Sequence, residues 1–311
     1  MLTRPITRGI TRPITRPLVR QSSTFNPLTL FAQGQQGAWY DPSDLATLFQ
    51  DSVGSDPVTA DNDMTGMALD KHLGLELGPE LVVNGTFDTG IEGWYEGTAN
   101  TIFSWEDEAI KVEAASGGSP YYAAQALSFE LNKTYLATFE IKDISVNSKF
   151  PRLVISGLVA SESFTNPGNG MLIFNSAVDE AELFLSNALG GTFAAGDYTV
   201  WDNISVRELP GNHAVQDTTA AKPTYRTDGT LHWLEFDGDD DQLVATIPGI
   251  TNATVAIAKS TGTEITYPVD LSSGEFVMDE TNYGVIVREG EFTEQEAMDV
   301  TTYLNAKAGI S

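Results

Sequence analysis

The stretch from Pro79 to Leu209 constrains the fold most strongly, because its short segments alternate apolar and polar residues. A two-residue period is typical of β-strands with one buried face, and turn residues separate the segments. Between residues 134 and 142, apolar and polar side chains would lie on opposite faces of a strand. The apolar face would carry Tyr135, Ala137, Phe139 and Ile141, and the polar face Thr138, Glu140 and Lys142. The pattern predicts a mainly β domain.

The last segment of this stretch places a carboxylate in an apolar register. One face is predicted to carry Tyr198, Val200, Ile204 and Val206, with Asp202 in the middle of it. A buried carboxylate must be paired or must coordinate an ion. A β-bulge would instead turn Asp202 outward and make an ion unnecessary, so both alternatives stay open.

Charge and composition exclude several classes of protein. The formal charge of −26 argues against nucleic acid or an anionic membrane as the main partner, since both would repel the chain. No cysteine is present, so neither disulfides nor thiolate metal sites are available. We expect no membrane insertion and no signal peptide, because the sequence has neither an apolar run of about 20 residues nor an apolar leader.

The N-terminal residues 1–24 form a basic arm that repeats Thr-Arg-Pro-Ile with small variations. Its prolines forbid a regular helix and favour extended chain without a core of its own. Docking on an acidic partner, including another copy of the protein, is favoured over disorder and over nucleic-acid contact. The residues assigned to docking are Arg4, Arg8, Arg12, Arg16 and Arg20.

Residues 25–78 are predicted to form a docking segment rather than a free domain, because glycine and glutamine interrupt its apolar residues. Asp41-Pro42 is typical of a helix start, with Leu45, Leu48 and Phe49 following at helical spacing. Trp39 and Tyr40, just before this start, are assigned to partner docking.

The run from Leu28 to Asp51, which contains Gly-Ala-Trp-Tyr-Asp-Pro-Ser-Asp-Leu, resembles a segment near the start of many virion proteins of tailed phages and prophages. Residues 69–81 continue that resemblance. It implies a tail, fibre or baseplate component that is made in the host cytoplasm and contacts other virion proteins. It also implies association with copies of itself, with a homotrimer expected.

Residues 79–209 resemble carbohydrate-binding modules of families 4 and 9, through Asn84-Gly85-Thr86-Phe87-Asp88 at one end and residues 201–206 at the other. The resemblance implies a jelly-roll β-sandwich, in which acidic residues of the first loop and last strand often share a structural calcium ion. Here that site would comprise Asp88 and Asp202, with Asn84 or nearby carbonyls completing an oxygen shell. Simple hydrogen bonding of these side chains is the alternative.

Modules of this family hold glycans against exposed aromatic rings, which here would be Trp105, Tyr121 and Tyr122. Trp94 is assigned to the core. Tyr121 and Tyr122 are adjacent, so on a strand one of them faces inward and the other outward. The alternative is that all these rings pack between the sheets.

Residues 210–223 are predicted to be a linker, and residues 224–311 a smaller β-rich domain with a hairpin at Asp228-Gly229. Residues 233–238, Trp-Leu-Glu-Phe-Asp-Gly, resemble the opening strand of concanavalin-like domains in phage tail proteins. Those domains are about twice as long, so the resemblance implies a reduced one here. The acidic run from Asp237 to Asp241 is interpreted as a solvated turn rather than a second calcium loop. A helix over 293–308 is predicted from the capping box of Thr293 and Glu296 and from the stop at Gly309.

The sequence carries no catalytic motif that combines a nucleophile, a base and oxyanion donors, so no enzymatic activity is expected. Two functions remain. The first is a structural virion protein docked through its N-terminal region. The second is a receptor-binding or glycan-binding protein whose central domain contacts the host surface.

Overall fold

A computed structural model describes residues 25–118, 120–145, 151–187 and 194–310. The arm, with the five arginines assigned to docking, lies outside the described residues. Ahead of the central domain are β1 (Gly37–Tyr40), β2 (Leu48–Phe49) and β3 (Met67–Ala68). Short 3₁₀ helices cover Pro27–Phe31, Leu45–Thr47 and Thr219–Ala221.

Ten strands lie in the described part of the central domain. They are β4 (Tyr95–Glu96), β5 (Thr101–Glu106), β6 (Ala109–Ala114), β7 (Tyr121–Ser128), β8 (Thr134–Ile144), β9 (Pro151–Ile155), β10 (Val159–Ala160), β11 (Gly168–Asn175), β12 (Glu180–Asn187) and β13 (Tyr198–Glu208). They form two five-stranded antiparallel sheets, in the orders β10-β9-β12-β7-β4 and β11-β8-β13-β6-β5. Side chains from both sheets share one hydrophobic core, which confirms the predicted β-sandwich.

The alternation of β8 is observed as predicted. Tyr135, Ala137, Phe139 and Ile141 are buried, while the residues between them face outward. In β13 the predicted face is only partly correct, because the register against β8 shifts at Val200/Trp201 and again between Asp202 and Ser205. Trp201 is therefore buried in place of Val200, and Asn203 adopts a left-handed conformation with φ 53°.

The remaining strands are β14 (Ala214–Val215), β15 (Thr224–Thr227), β16 (His232–Glu235), β17 (Leu243–Thr246), β18 (Ile250–Lys259), β19 (Gly262–Leu271), β20 (Glu275–Met278) and β21 (Val285–Glu289). Strands β15 and β16 form the hairpin predicted at Asp228-Gly229. Two larger sheets have the orders β1-β21-β18-β19 and β2-β3-β14-β17-β20. Both sheets contribute to one core.

Strand pairing joins stretches that the sequence analysis divides. β1 pairs with β21, and β3 pairs with β14 of the predicted linker, so residues 37–68 are built into the C-terminal sheets. The predicted helix after Asp41 is reduced to the 3₁₀ turn Leu45–Thr47, because Leu48 and Phe49 pair with Ala68 and Met67 instead.

The two bodies also contact each other through a second apolar cluster. Phe49, Met67 and Leu69 pack there against Ile173 and Leu209 of the central domain. The amide of Ile173 donates to the carbonyl of Val53 at 2.6 Å, so the N-terminal segment pairs locally with the edge of β11.

The only α-helix of the described residues, α1 (Glu294–Lys307), forms as predicted. Thr293 and Glu296 make the reciprocal capping box, and Val300 and Leu304 are buried. Lys307 in its last turn bonds the Asp41 carboxylate at 2.8 Å. Burial alone would raise the pKa of Asp41, but the bonds from Lys307 and Ser43 hold that pKa below its usual value. Among the described residues, no helix has the length and apolar character that a membrane span requires.

Candidate binding cleft on the central domain

The two end motifs of the central domain lie side by side. The amide of Ile204 donates to the carbonyl of Gly85 at 2.9 Å. A Cβ at residue 85 would lie 1.9 Å from the carbonyl oxygen of Ile204, so only glycine allows this approach. The first loop and the last strand are thus fastened together by backbone contact.

The three residues predicted to hold calcium have other partners. Asp202 lies at the β13 bulge, where its carboxylate accepts from the Asn203 amide at 2.7 Å and meets the Lys142 ammonium at 3.2 Å. Asp88 accepts from the Thr86 hydroxyl, and the amide group of Asn84 donates to the carbonyl of Gly90. Because Lys142 already balances the charge of Asp202, the geometry fits the bulge alternative better than an ion. The calcium site stays a prediction.

The predicted aromatic platform is only partly available. Tyr121 is 0% exposed and packs in the core, which removes it as a stacking surface. Tyr122 faces outward but covers Gly97, where a Cβ would lie 1.9 Å from its ring. Trp105 is 45% exposed, with its indole N–H fixed by the carbonyl of Phe87. Trp94 is buried, as assigned.

The two aromatic residues assigned to partner docking are also inside the protein. Trp39 is buried beneath the Lys71 ammonium, which lies 4.7 Å from its ring, and Tyr40 is buried with its hydroxyl on the carbonyl of Asn212. They belong to β1, an edge strand of its sheet whose four residues are all buried, so neither ring is exposed to a partner here. Their assignment to docking stays a prediction.

A cleft of about 670 Å³ opens beside the edge of β11. Its apolar lining includes the half-buried Phe164 and Met171 and, from the N-terminal segment, Pro57. Phe139 borders the cleft but is only 2% exposed. At Gly170 the Phe139 ring occupies the place of a side chain, 2.0 Å from where a Cβ would be, so only glycine fits there.

Polar side chains form the rim of this cleft. Glu140 accepts from the amide group of Asn203 at 2.8 Å, which orients both side chains. Glu162 and Asn169 are exposed on the same rim. An apolar floor that contains the Phe164 ring, with amide and carboxylate groups around it, is suited to holding a hydroxyl-rich ligand. The ring can cover an apolar face of the ligand, and the rim can bond its hydroxyls.

None of these cleft residues was predicted as a binding residue from the sequence, because tryptophan and tyrosine rings were expected to form the binding surface. One signal was present. Gly168 and Gly170 weaken a segment that otherwise reads as a strand, and glycine inside a strand often marks a close approach of another group.

A second cavity, of about 640 Å³, lies at the junction of the two bodies and is lined in part by His72, Asn212 and His213. Below it, Asp70 is fully buried and accepts from the Nδ1 of His72. His213 accepts from the Asp70 amide through Nδ1 at 3.0 Å, so its proton is on Nε2, which faces the carbonyl of Leu209. Burial lowers the pKa of His213 and keeps it neutral.

The acidic run near residue 240 folds as a turn. Asp237 accepts from the Asp239 amide at 2.8 Å, and its own amide donates to Asp241. Among the described residues, one cluster of three acidic side chains lies close enough to share an ion; it comprises Asp237, Asp240 and Asp241. Because it is largely exposed, we interpret it as a solvated turn.

No protein-family model matches the sequence, and no curated protein sequence matches it. Among solved structures, the enzymatically active domain of tailspike protein 4 of bacteriophage CBA120 is similar with a TM-score of 0.32 and 10% identity. That alignment covers 42% of this chain and 21% of the tailspike chain. A CBM4 structure aligns with a TM-score of 0.30 and 15% identity over 41% of this chain and 99% of its own.

The adhesin domain of Epf from Streptococcus pyogenes aligns with a TM-score of 0.31 and 11% identity, over 70% of this chain and 99% of its own. These likenesses are too low to argue from. The function is therefore argued from the cleft and from the residues around it.

Proposed function

We propose that the central domain binds a neutral glycan in the cleft beside β11, as the host-contacting part of a tailed-phage virion protein. The observation that supports this most is the combination of the half-buried Phe164 and Met171 in the cleft floor with the oriented pair of Glu140 and Asn203. Two rim carboxylates and the formal charge of −26 disfavour an anionic glycan.

Binding of the full chain to a panel of neutral oligosaccharides, followed by calorimetry on the best of them, tests the proposal. We expect Phe164→Ala and Asn169→Ala each to weaken binding at least 10-fold, which corresponds to about 1.4 kcal/mol. Trp105→Ala, on the opposite edge of the same sheet, is the matched control. Binding lost with Trp105→Ala but kept in both cleft variants would move the site to Trp105 and refute the cleft.

The second candidate is a purely structural virion component. It is favoured by strand pairing, which builds residues 37–68 into the C-terminal sheets. The surface that would dock on other virion proteins then belongs to the whole C-terminal body and not to a short N-terminal segment. Adding purified protein to host cells before infection separates the two. Blocked adsorption that Phe164→Ala abolishes supports attachment, whereas no competition supports the structural role. Light scattering on the same samples tests the expected homotrimer.

A further inference from the structure

The edge of β11 is only partly covered. β11 is the outermost strand of its sheet, and its Ile173 amide donates away from β8 to the carbonyl of Val53. Backbone groups alternate in direction along a strand, so the amides of Met171 and Asn169 point to the same side as that of Ile173. Among the described residues none accepts from these two amides. The uncovered part of the edge therefore opens into the cleft.

The arm has a periodicity that suits such an edge. All its prolines, Pro5, Pro13 and Pro17, lie at odd positions, while the arginines and isoleucines lie at even positions. In an extended strand, residues of one parity direct their backbone groups to the same edge. The three positions at which proline lacks a backbone N–H therefore lie on one edge of the strand, and the residues on the other edge keep all their backbone N–H donors. Such a strand can pair on one side only.

The side chains of the arm also match the two faces of β11. Asn169 and Met171 share their face with Glu140 and Thr138, their register partners on β8. A strand paired through its even residues would place its arginines and isoleucines on that same face, beside Glu140 and Met171. Its prolines and threonines would lie on the other face, beside Gly170 and the Phe139 ring that packs against it.

We propose that a Thr-Arg-Pro-Ile repeat of the chain's own arm pairs with the free edge of β11 in the cleft. Charge favours this, since the arm holds five of the 17 basic residues of a chain with formal charge −26. Reach allows it. An extended arm spans about 3.3 Å per residue, or roughly 80 Å over 24 residues, whereas a compact chain of this length has a radius of gyration of about 20 Å.

The arm of the same chain is favoured over that of a second copy, because tethering gives it an effective concentration in the millimolar range. The docked arm would cover the cleft and compete with any glycan there. The pairing itself does not rest on the proposed function, and it is tested without a sugar.

Disulfide trapping in the full chain tests the pairing, because the sequence has no cysteine to interfere. Asn169→Cys is combined in turn with Ile6→Cys and with Ile14→Cys, one in each complete Thr-Arg-Pro-Ile repeat. At least one of these pairs is expected to form a disulfide within one chain at least 10-fold faster than Ser104→Cys combined with the same arm cysteine. Ser104 lies on β5, the opposite edge of the same sheet, and is the matched control. Equal rates would overturn the proposal, and a disulfide-linked dimer would overturn the choice of the chain's own arm.

Hydrogen exchange provides a second measurement that does not depend on cysteines. In a full-length variant, each arm proline is exchanged with the residue that follows it, which keeps composition and charge but moves the prolines to the pairing edge. We expect the amides of Asn169 and Met171 to exchange at least 10-fold faster in this variant, while the Ile173 amide, held by Val53, is unchanged. Unchanged exchange at Asn169 and Met171 would overturn the proposal.

Discussion

Asp70 is predicted to be the polar side chain on which the junction of the two bodies depends most. Its Oδ1 accepts from the amides of Trp39 at 2.8 Å and His72 at 2.9 Å. Its Oδ2 accepts from the amide of Asn212 at 2.7 Å and from Nδ1 of His72. One buried carboxylate thus fastens β1, the segment after β3 and the chain that leaves the central domain.

The substitution Asp70→Asn keeps the shape of this side chain but removes half of its accepting capacity. An amide presents one oxygen, so two of the four donors lose their acceptor and face an NH₂ group instead. Hydrogen bonds to a charged group contribute about 1.5–3 kcal/mol each, and a buried donor left unpaired adds its own cost. Relief of the buried charge offsets part of this. We expect the free energy of unfolding to fall by about 3–5 kcal/mol.

Urea unfolding of the full chain, followed by tryptophan fluorescence and extrapolated to water, measures this loss. Asp270→Asn is the matched control, because Asp270 accepts a comparable bond from the Ser272 amide at the exposed end of β19. The control is expected to change stability by less than about 1 kcal/mol. A loss below about 1 kcal/mol for Asp70→Asn as well would show that the four contacts do not hold the junction.

Three further predictions concern the rest of the fold. Burial lowers the pKa of His213, so the folded state binds a proton on this imidazole less tightly than the unfolded state does. The free energy of unfolding should therefore fall as the pH drops below about 6.5, by at most about 1.4 kcal/mol per pH unit. His213→Asn should reduce the difference in urea midpoint between pH 7.5 and 5.5, and an equal difference in both proteins would contradict this origin. Because Lys142 matches the charge of Asp202, Asp202→Ala should lower the free energy of unfolding by about 1–2 kcal/mol, and a chelator should leave the melting temperature of the unmodified protein unchanged. A chelator-induced drop in melting temperature that Asp202→Ala removes would instead establish a calcium site. Gly85→Ala should destabilise the protein by about 2 kcal/mol or more, because its Cβ would meet the carbonyl of Ile204. Gly168→Ala, where the nearest atom to the new Cβ lies 4.0 Å away, is the control, and equal melting temperatures for the two variants would refute the contact.

Local signals were sufficient where an element is determined by its own residues. The alternation in β8 gave the correct inner and outer faces, because each side chain is placed by the strand period alone. The capping box of Thr293 and Glu296 located α1 within one residue, since both hydrogen bonds are made inside the first turn.

Elements that depend on distant partners were not predictable in the same way. Gly37 pairs with Arg288 on β21, and no local property of either residue specifies this. The signal at Asp41 was real, since its carboxylate accepts from the Ser43 amide, but the apolar residues after it gain more by joining a sheet. At Asp202 the sequence left a bulge and an ion as alternatives, and the shifted register contains the bulge.

The two-residue period of β-strands explains which features of the binding surface were predictable from the sequence and which were not. It required Tyr121 and Tyr122 to face opposite ways, but which one faces inward depends on Ala123 and Leu127, which are buried on the Tyr121 side of β7. The same parity applies to the arm, where all prolines fall on one edge whichever repeat is docked. Exchanging each proline with its neighbour reverses that parity without changing charge, length or composition. An effect of the exchange on β11 would therefore come from strand parity, through the backbone donors or through the face on which Ile6, Ile14 and Leu18 lie, because electrostatic attraction to the acidic rim is the same in both chains.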